Sequence, residues 1–192
     1  MPILKLPPEW TLGENLPDVV DFKLSDGAKG NLETIEFMRK KARDRSRHPI
    51  VRQLALKILL SHNVPSQDYL AESLAIGRYV KQKVRYVRDI NRVETLIDPL
   101  TLIDQITRGE AQADCDDVAM LIATLLLSIG HQPYFRIVKY KKDVPNFQHV
   151  YVVDYEKNHA DKVKTRIVLD GILKYRMMGN EIFHLQGNEI KV

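Results

Sequence analysis

The sequence predicts an α+β fold: helices first, then one buried central helix packed on an antiparallel sheet. Three observations predict it. Apolar residues recur at helical spacing through the first two thirds of the chain. Residues 118–129 carry no charge at all, too apolar for a surface helix. After Gly130 the period switches to that of strands.

Taken in order, residues 1–30 form an extended arm, with Pro2, Pro7, Pro8 and Pro17 followed by Asp26-Gly27 and Gly30. Trp10 is its candidate anchor. Residues 31–65 form a helical leader. Asn31 is placed to cap a helix carrying Leu32, Ile35, Met38 and Ala42, whose far end dissolves into a basic cluster. Pro49 opens a second helix with Ile50, Val51, Leu54, Ile58 and Leu59 as its stripe. Residues 66–192 form the core. Ser66 is placed to cap a third helix presenting Tyr69, Leu70, Leu74 and Val80, and residues 84–88 alternate as a short extended segment. Asp98-Pro99 reads as a cap and first turn, ending near Gly109, and residues 109–114 read as a polar loop. Val118, Leu121, Ile122, Leu125, Leu126 and Ile129 then mark the central helix. Residues 134–140, 149–155 and 165–170 are the strands of a meander, and Ile182, Phe183 and Leu185 suggest an edge strand.

The bulk properties narrow the classes. The 192 residues are 44% apolar and 28% charged, which suits one substantial core. One cysteine excludes an internal disulfide and fits a reducing compartment. No apolar leader is evident, and residues 118–129 are too short to span a bilayer, so a cytoplasmic protein is expected. The formal charge of +4 is mild. Its basic clusters at residues 39–47 and 78–88 are interrupted by acids, and solvated helix faces explain them better than a nucleic-acid partner does.

The lone Cys115 lies within Asp114-Cys115-Asp116-Asp117, at the start of the central helix. A helix N-terminus and a nearby imidazolium both stabilise a thiolate, while the three carboxylates oppose it. Six histidines compete to supply the imidazole. His48 precedes a helix-starting proline, His62 ends a helix, and His131 lies in a turn. His159 is in a charged loop and His184 in the tail. His149 opens a strand, where a side chain faces the sheet rim. Asp170 ends a following strand, and antiparallel pairing returns it beside His149. Nucleophile, base and orienting carboxylate are the parts that acyl transfer requires.

Residues 112–121 (QADCDDVAML), closing on Ser128-Ile129-Gly130-His131-Gln132-Pro133, resemble the nucleophile motif of the transglutaminase-like superfamily. Gln148-His149-Val150-Tyr151-Val152 resembles its histidine strand, and Val168-Leu169-Asp170-Gly171 its aspartate element. Residues 84–89, Asp98-Pro99 and Leu102 match the lead-in segment, so the resemblance covers roughly residues 66–172. Residues 47–55 are similar to the version encoded in phages and prophages, which would add virion association.

The resemblance implies a papain-like fold and a Cys-His-Asp triad of Cys115, His149 and Asp170. It implies a peptide or protein substrate with an amide bond, and no cofactor. Two departures stand out: Ala113 replaces a frequent glycine, and no tryptophan lies near Cys115. Oxyanion donors remain open between the backbone N–H of Cys115 or Asp116 and the side chain of Gln112. The alternatives are a structural cysteine, a metal site at residues 114–117, a related cell-wall peptide hydrolase, and a catalytically silent assembly module.

Overall fold

A computed structural model describes residues 20–21, 28–88, 95–144, 147–157, 163–172, 178–181 and 183–192. The first part of the chain runs β1 (Val20–Asp21), α1 (Ala28–Arg45), α2 (Pro49–Ser61), α3 (Tyr69–Lys83), β2 (Arg85–Tyr86), β3 (Thr95–Leu96), α4 (Pro99–Arg108) and β4 (Gln112–Ala113). It continues with α5 (Cys115–Ser128), β5 (Tyr134–Lys139), β6 (His149–Lys157), β7 (Val163–Leu169) and β8 (Gln186–Lys191). Trp10, the arm's prolines and His159 lie outside the described residues. No described helix is long and apolar enough to cross a membrane.

Helix α5 is the hub of this α+β fold. Its side chains from Val118 to Leu126 are buried, because α1, α2, α3 and α4 pack around it on one side and the sheet closes the other. The sheet has the order β7-β6-β5-β8, and every pairing in it is antiparallel. Phe135, Ile137, Val150, Val152, Ile167 and Leu169 belong to the main core with α5. Alternation sends Val138, Tyr151, Val153 and Val168 to the opposite face, where they form a second, smaller cluster.

Several sequence expectations need correction. Asn31 lies inside α1 and caps nothing; its amide donates to the Phe147 carbonyl at 3.4 Å. Nor does α1 dissolve into its basic cluster. Lys41 and Arg45, one turn apart, both reach the buried Asp98 carboxylate, at 3.2 Å and 2.9 Å. Part of the cluster is thus an anchor, not a solvated face. Asp98 also caps α4 by accepting from the Leu100 N–H.

Asp68, not Ser66, caps α3. Tyr69 and Leu70 are exposed, while Val80 is buried together with Ile76, Tyr79 and the small residues Ser73, Ala75 and Gly77. The polar loop before Cys115 holds β4, which pairs in parallel with β2. The edge strand is β8, a polar stretch beyond Phe183 and Leu185, both of which are exposed.

Candidate active site

Asp114 is extended and takes the N-cap position, its carboxylate accepting from the N–H groups of Asp116 (3.0 Å) and Asp117 (3.3 Å). This cap makes Cys115 the first residue of α5. Asp117 turns inward and accepts from the Ile97 N–H at 2.7 Å, tying α5 to the segment before α4. Asp116 stays beside the nucleophile, and the Cys115 S–H donates to its Oδ1 at 3.2 Å. The thiol also receives the backbone N–H of Val150. Helix start and strand start are therefore joined at the sulfur.

His149 is the first residue of β6, and its Nε2 donates to Asp170 Oδ2 at 2.7 Å. Both side chains are buried. The register explains the meeting: Val152 pairs with Leu169, so the next residue of β7's chain falls level with Tyr151, on the face that His149 shares. The second Asp170 oxygen accepts from the Ile172 N–H at 3.3 Å. Gly171 permits the close passage, because a Cβ there would stand 2.4 Å from Val118 Cγ1 on α5.

Two tyrosine rings border His149. Tyr140 stacks on it with centroids 6.1 Å apart and planes 25° apart, and Tyr151 lies at 5.6 Å and 38°. Tyr151 stands in the histidine-strand motif two residues after His149, whereas the sequence offered no sign of Tyr140.

The electrostatics weigh on the side of the opposing carboxylates. Burial first, then the charges of Asp116 and Asp114, push the Cys115 thiol well above its ordinary range. The Val150 N–H pulls the other way without reversing this. These influences favour the neutral thiol over the thiolate.

The structure thus brings His149 and Asp170 into contact and sets Cys115 against the residue after His149. Asp116 is a poor oxyanion donor, because its N–H is committed to the Asp114 cap. Gln112 lies exposed on β4, three residues ahead of the sulfur. Ligand atoms of Asp114, Cys115 and Asp116 lie within 4.8 Å of one another, but the Asp114 carboxylate already serves two backbone N–H groups.

A second histidine cluster escaped the sequence reading. His131 is buried, with Nδ1 against Asp154 and Nε2 2.8 Å from Glu72, while Ser73 donates to Asp154 at 2.7 Å. Only an imidazolium donates to both carboxylates. Burial pulls its pKa down, but the two carboxylates outweigh burial and hold it above the usual value. Tyr69 covers the ring, with centroids 4.5 Å apart. The available signal was Asp154 itself, a charge on the inward face of a core strand. His48 and His62 sit at the two ends of α2, and His184 accepts from Arg136.

No protein-family model matches the chain, and no curated protein matches it. Among solved structures, the chain is similar to the crystal structure of "a Putative Cysteine Protease from Cytophaga hutchinsonii". The identity is 18% and the TM-score 0.45, over 90% of this chain and 52% of that one. The chain spans about half the length of that protein.

Proposed function

We propose that the protein is a cysteine-dependent acyl-transfer enzyme acting on amide bonds of peptides or proteins, with Cys115 as nucleophile, His149 as base and Asp170 as orienting group. The observation that carries the reading is the buried His149–Asp170 hydrogen bond of 2.7 Å, beside the helix start that presents Cys115. With Nε2 committed to Asp170, Nδ1 is the nitrogen left to take the thiol proton.

Cys115 Sγ attacks the carbonyl carbon as its proton passes to His149 Nδ1, so deprotonation accompanies attack on this neutral thiol. Electrons from the C=O bond move onto the oxygen, which the Cys115 N–H and the Gln112 amide receive. Collapse breaks the C–N bond, and the imidazolium protonates the departing amine. Water then attacks the thioester, gives a proton to Nδ1, and releases the carboxylic acid and the thiol. An amine in place of water gives transamidation, the transglutaminase-type outcome that the residue 112–121 motif resembles. Asp170 holds the tautomer and stabilises the imidazolium throughout.

The test is acylation by an activated ester, followed by intact mass and the release of its leaving group. Cys115 acquires the acyl group, and Cys115→Ala and His149→Ala lose it. Equal labelling in His149→Ala refutes the assignment.

One observation favours a second reading, a catalytically silent assembly module of the phage-like kind. Asp116 holds the S–H and its charge opposes ionisation. That reading predicts that Cys115→Ala keeps full biological function.

A further inference from the structure

The outer face of the sheet carries an array that the triad does not use. Tyr151 is buried, and its hydroxyl donates to Glu181. Glu181 is gripped by Arg166 at 3.0 Å and 2.9 Å, and Arg166 also reaches Glu189 at 2.9 Å. Tyr155 donates to the same Glu189. Arg136 lies across from Tyr151 in the register and stands 3.5 Å from Glu181. Its guanidinium rests on β8 at Gly187, where a Cβ would come within 2.7 Å of it. The array spans β5, β6, β7 and β8 and holds two phenols, Tyr155 through Glu189 and Tyr151 through Glu181. The Tyr151 ring lies against His149.

A histidine anchored by a single hydrogen bond can still rotate about it and tilt its plane. Walls on the ring remove that freedom and keep water from the Nε2–Asp170 bond, which strengthens it. Tyr151 and Tyr140 are those walls, at 5.6 Å and 6.1 Å between centroids. The spacing and tilt suit contact between aromatic rings. Tyr140 itself is placed by its backbone N–H, which donates to the Gln148 side chain at 2.9 Å, one residue before His149.

We propose that Tyr140 and Tyr151 are positioning residues that fix the plane of the His149 imidazole, with the Glu181–Arg166–Glu189 array as the buttress that holds Tyr151. This rests on the reading of His149 as the base of Cys115. The array is then an internal brace for catalysis, and its charges are committed to one another rather than to a partner. Tyr140 contributes through its ring and Tyr151 through its ring and its anchored hydroxyl.

The test uses Tyr140→Leu, Tyr140→Phe and Tyr151→Phe in the full chain. Two readouts are compared: Cys115 acylation by an activated ester across pH, and the proton NMR signal of the His149 imidazole N–H bonded to Asp170. Tyr140→Leu is expected to slow acylation ~10-fold or more, alter its pH profile and exchange the N–H proton with water at least ~10-fold faster. Tyr140→Phe keeps both readouts, because the ring remains. Tyr151→Phe keeps the fold but loses the Glu181 bond, so it broadens the N–H signal and slows acylation less than Tyr140→Leu does.

A wild-type rate and signal in Tyr140→Leu overturns the proposal, as does a Phe variant that falls as far as the Leu variant. If the wild type is not acylated on Cys115, the nucleophile reading fails by itself. The N–H signal then decides the positioning: retention in Tyr140→Leu overturns it, and loss supports it.

Discussion

Gly171→Ala tests how the site is assembled, because Gly171 is where the aspartate-bearing chain crosses the nucleophile's helix. A Cβ there would lie 2.4 Å from Val118 Cγ1 and 3.3 Å from Ile122 Cδ1. Carbon atoms rest at about 3.5–4.0 Å, so one side must retreat by about 1 Å. Val118 cannot rotate away cheaply, being β-branched, helical and buried. Overpacking of this kind costs about 1–3 kcal/mol, which lowers Tm by roughly 2–12 °C in a chain of this size.

The same displacement acts on Asp170, the adjacent residue, whose bond to His149 is 2.7 Å long. Acylation of Cys115 is expected to fall by about 100-fold. Adding Val118→Ala removes the clashing methyl group, so a thermal-denaturation cycle should give a favourable coupling of about 1 kcal/mol or more. A Gly171→Ala protein within about 0.5 kcal/mol of wild type, or a cycle with no coupling, would refute the close crossing.

His131→Gln strips the cation from between Asp154 and Glu72, which costs about 3–5 kcal/mol for a broken buried pair; at pH 6 Tm should drop by about 10 °C. Because the folded pKa of His131 is raised, its contribution is complete below about 6.5, the unfolded value, and is lost as pH rises through the folded value. Asp154, with a depressed pKa, contributes above about 3.9 and loses its contribution as pH falls through its folded value. Wild-type stability should therefore decline on the alkaline side; the same alkaline slope in His131→Gln would count against the cluster. Asp98→Ala removes the α4 cap and the partner of Arg45 and Lys41, and should lower the urea midpoint by about 2–4 kcal/mol equivalent with m unchanged; a loss under about 1 kcal/mol would show the anchor to be incidental. Asp116→Asn removes a charge that opposes the thiolate, so the pH midpoint of Cys115 alkylation by iodoacetamide should move down; an unchanged midpoint would leave burial and the Asp114 charge as the causes.

The central helix was legible because its signals are local. An acidic stretch, an uncharged apolar run and Gly130 all fall together, and α5 follows them from Cys115 to Ser128. The strand order β5-β6-β7 was legible from period and spacing. His149 and Asp170 were legible as neighbours only through antiparallel pairing, which the register provides.

The parts that were not legible depend on distant partners. Glu72 and His131 are 59 residues apart, and no local pattern announces their contact. Lys41 and Asp98 are 57 residues apart, so the basic end of α1 read as solvated. The start of α3 was misjudged, since Tyr69 and Leu70 are exposed, whereas Val80 lies on its buried face, which also includes the small residues Ser73, Ala75 and Gly77. Strand β4, of two residues, is too short to show a period, whereas β2 falls within the alternating residues 84–88. The upward push on the Cys115 thiol comes from burial, which the sequence does not give, and from which of three carboxylates turns away.

The most direct measurement is the pre-steady-state acylation of Cys115 by an activated ester at pH 7, wild type against His149→Ala, with the adduct located by mass spectrometry. A Cys-His-Asp mechanism on a neutral thiol predicts a burst on Cys115 that falls by about 100-fold to 10,000-fold without the base. A burst of equal rate in His149→Ala, or an adduct on another residue, would contradict it.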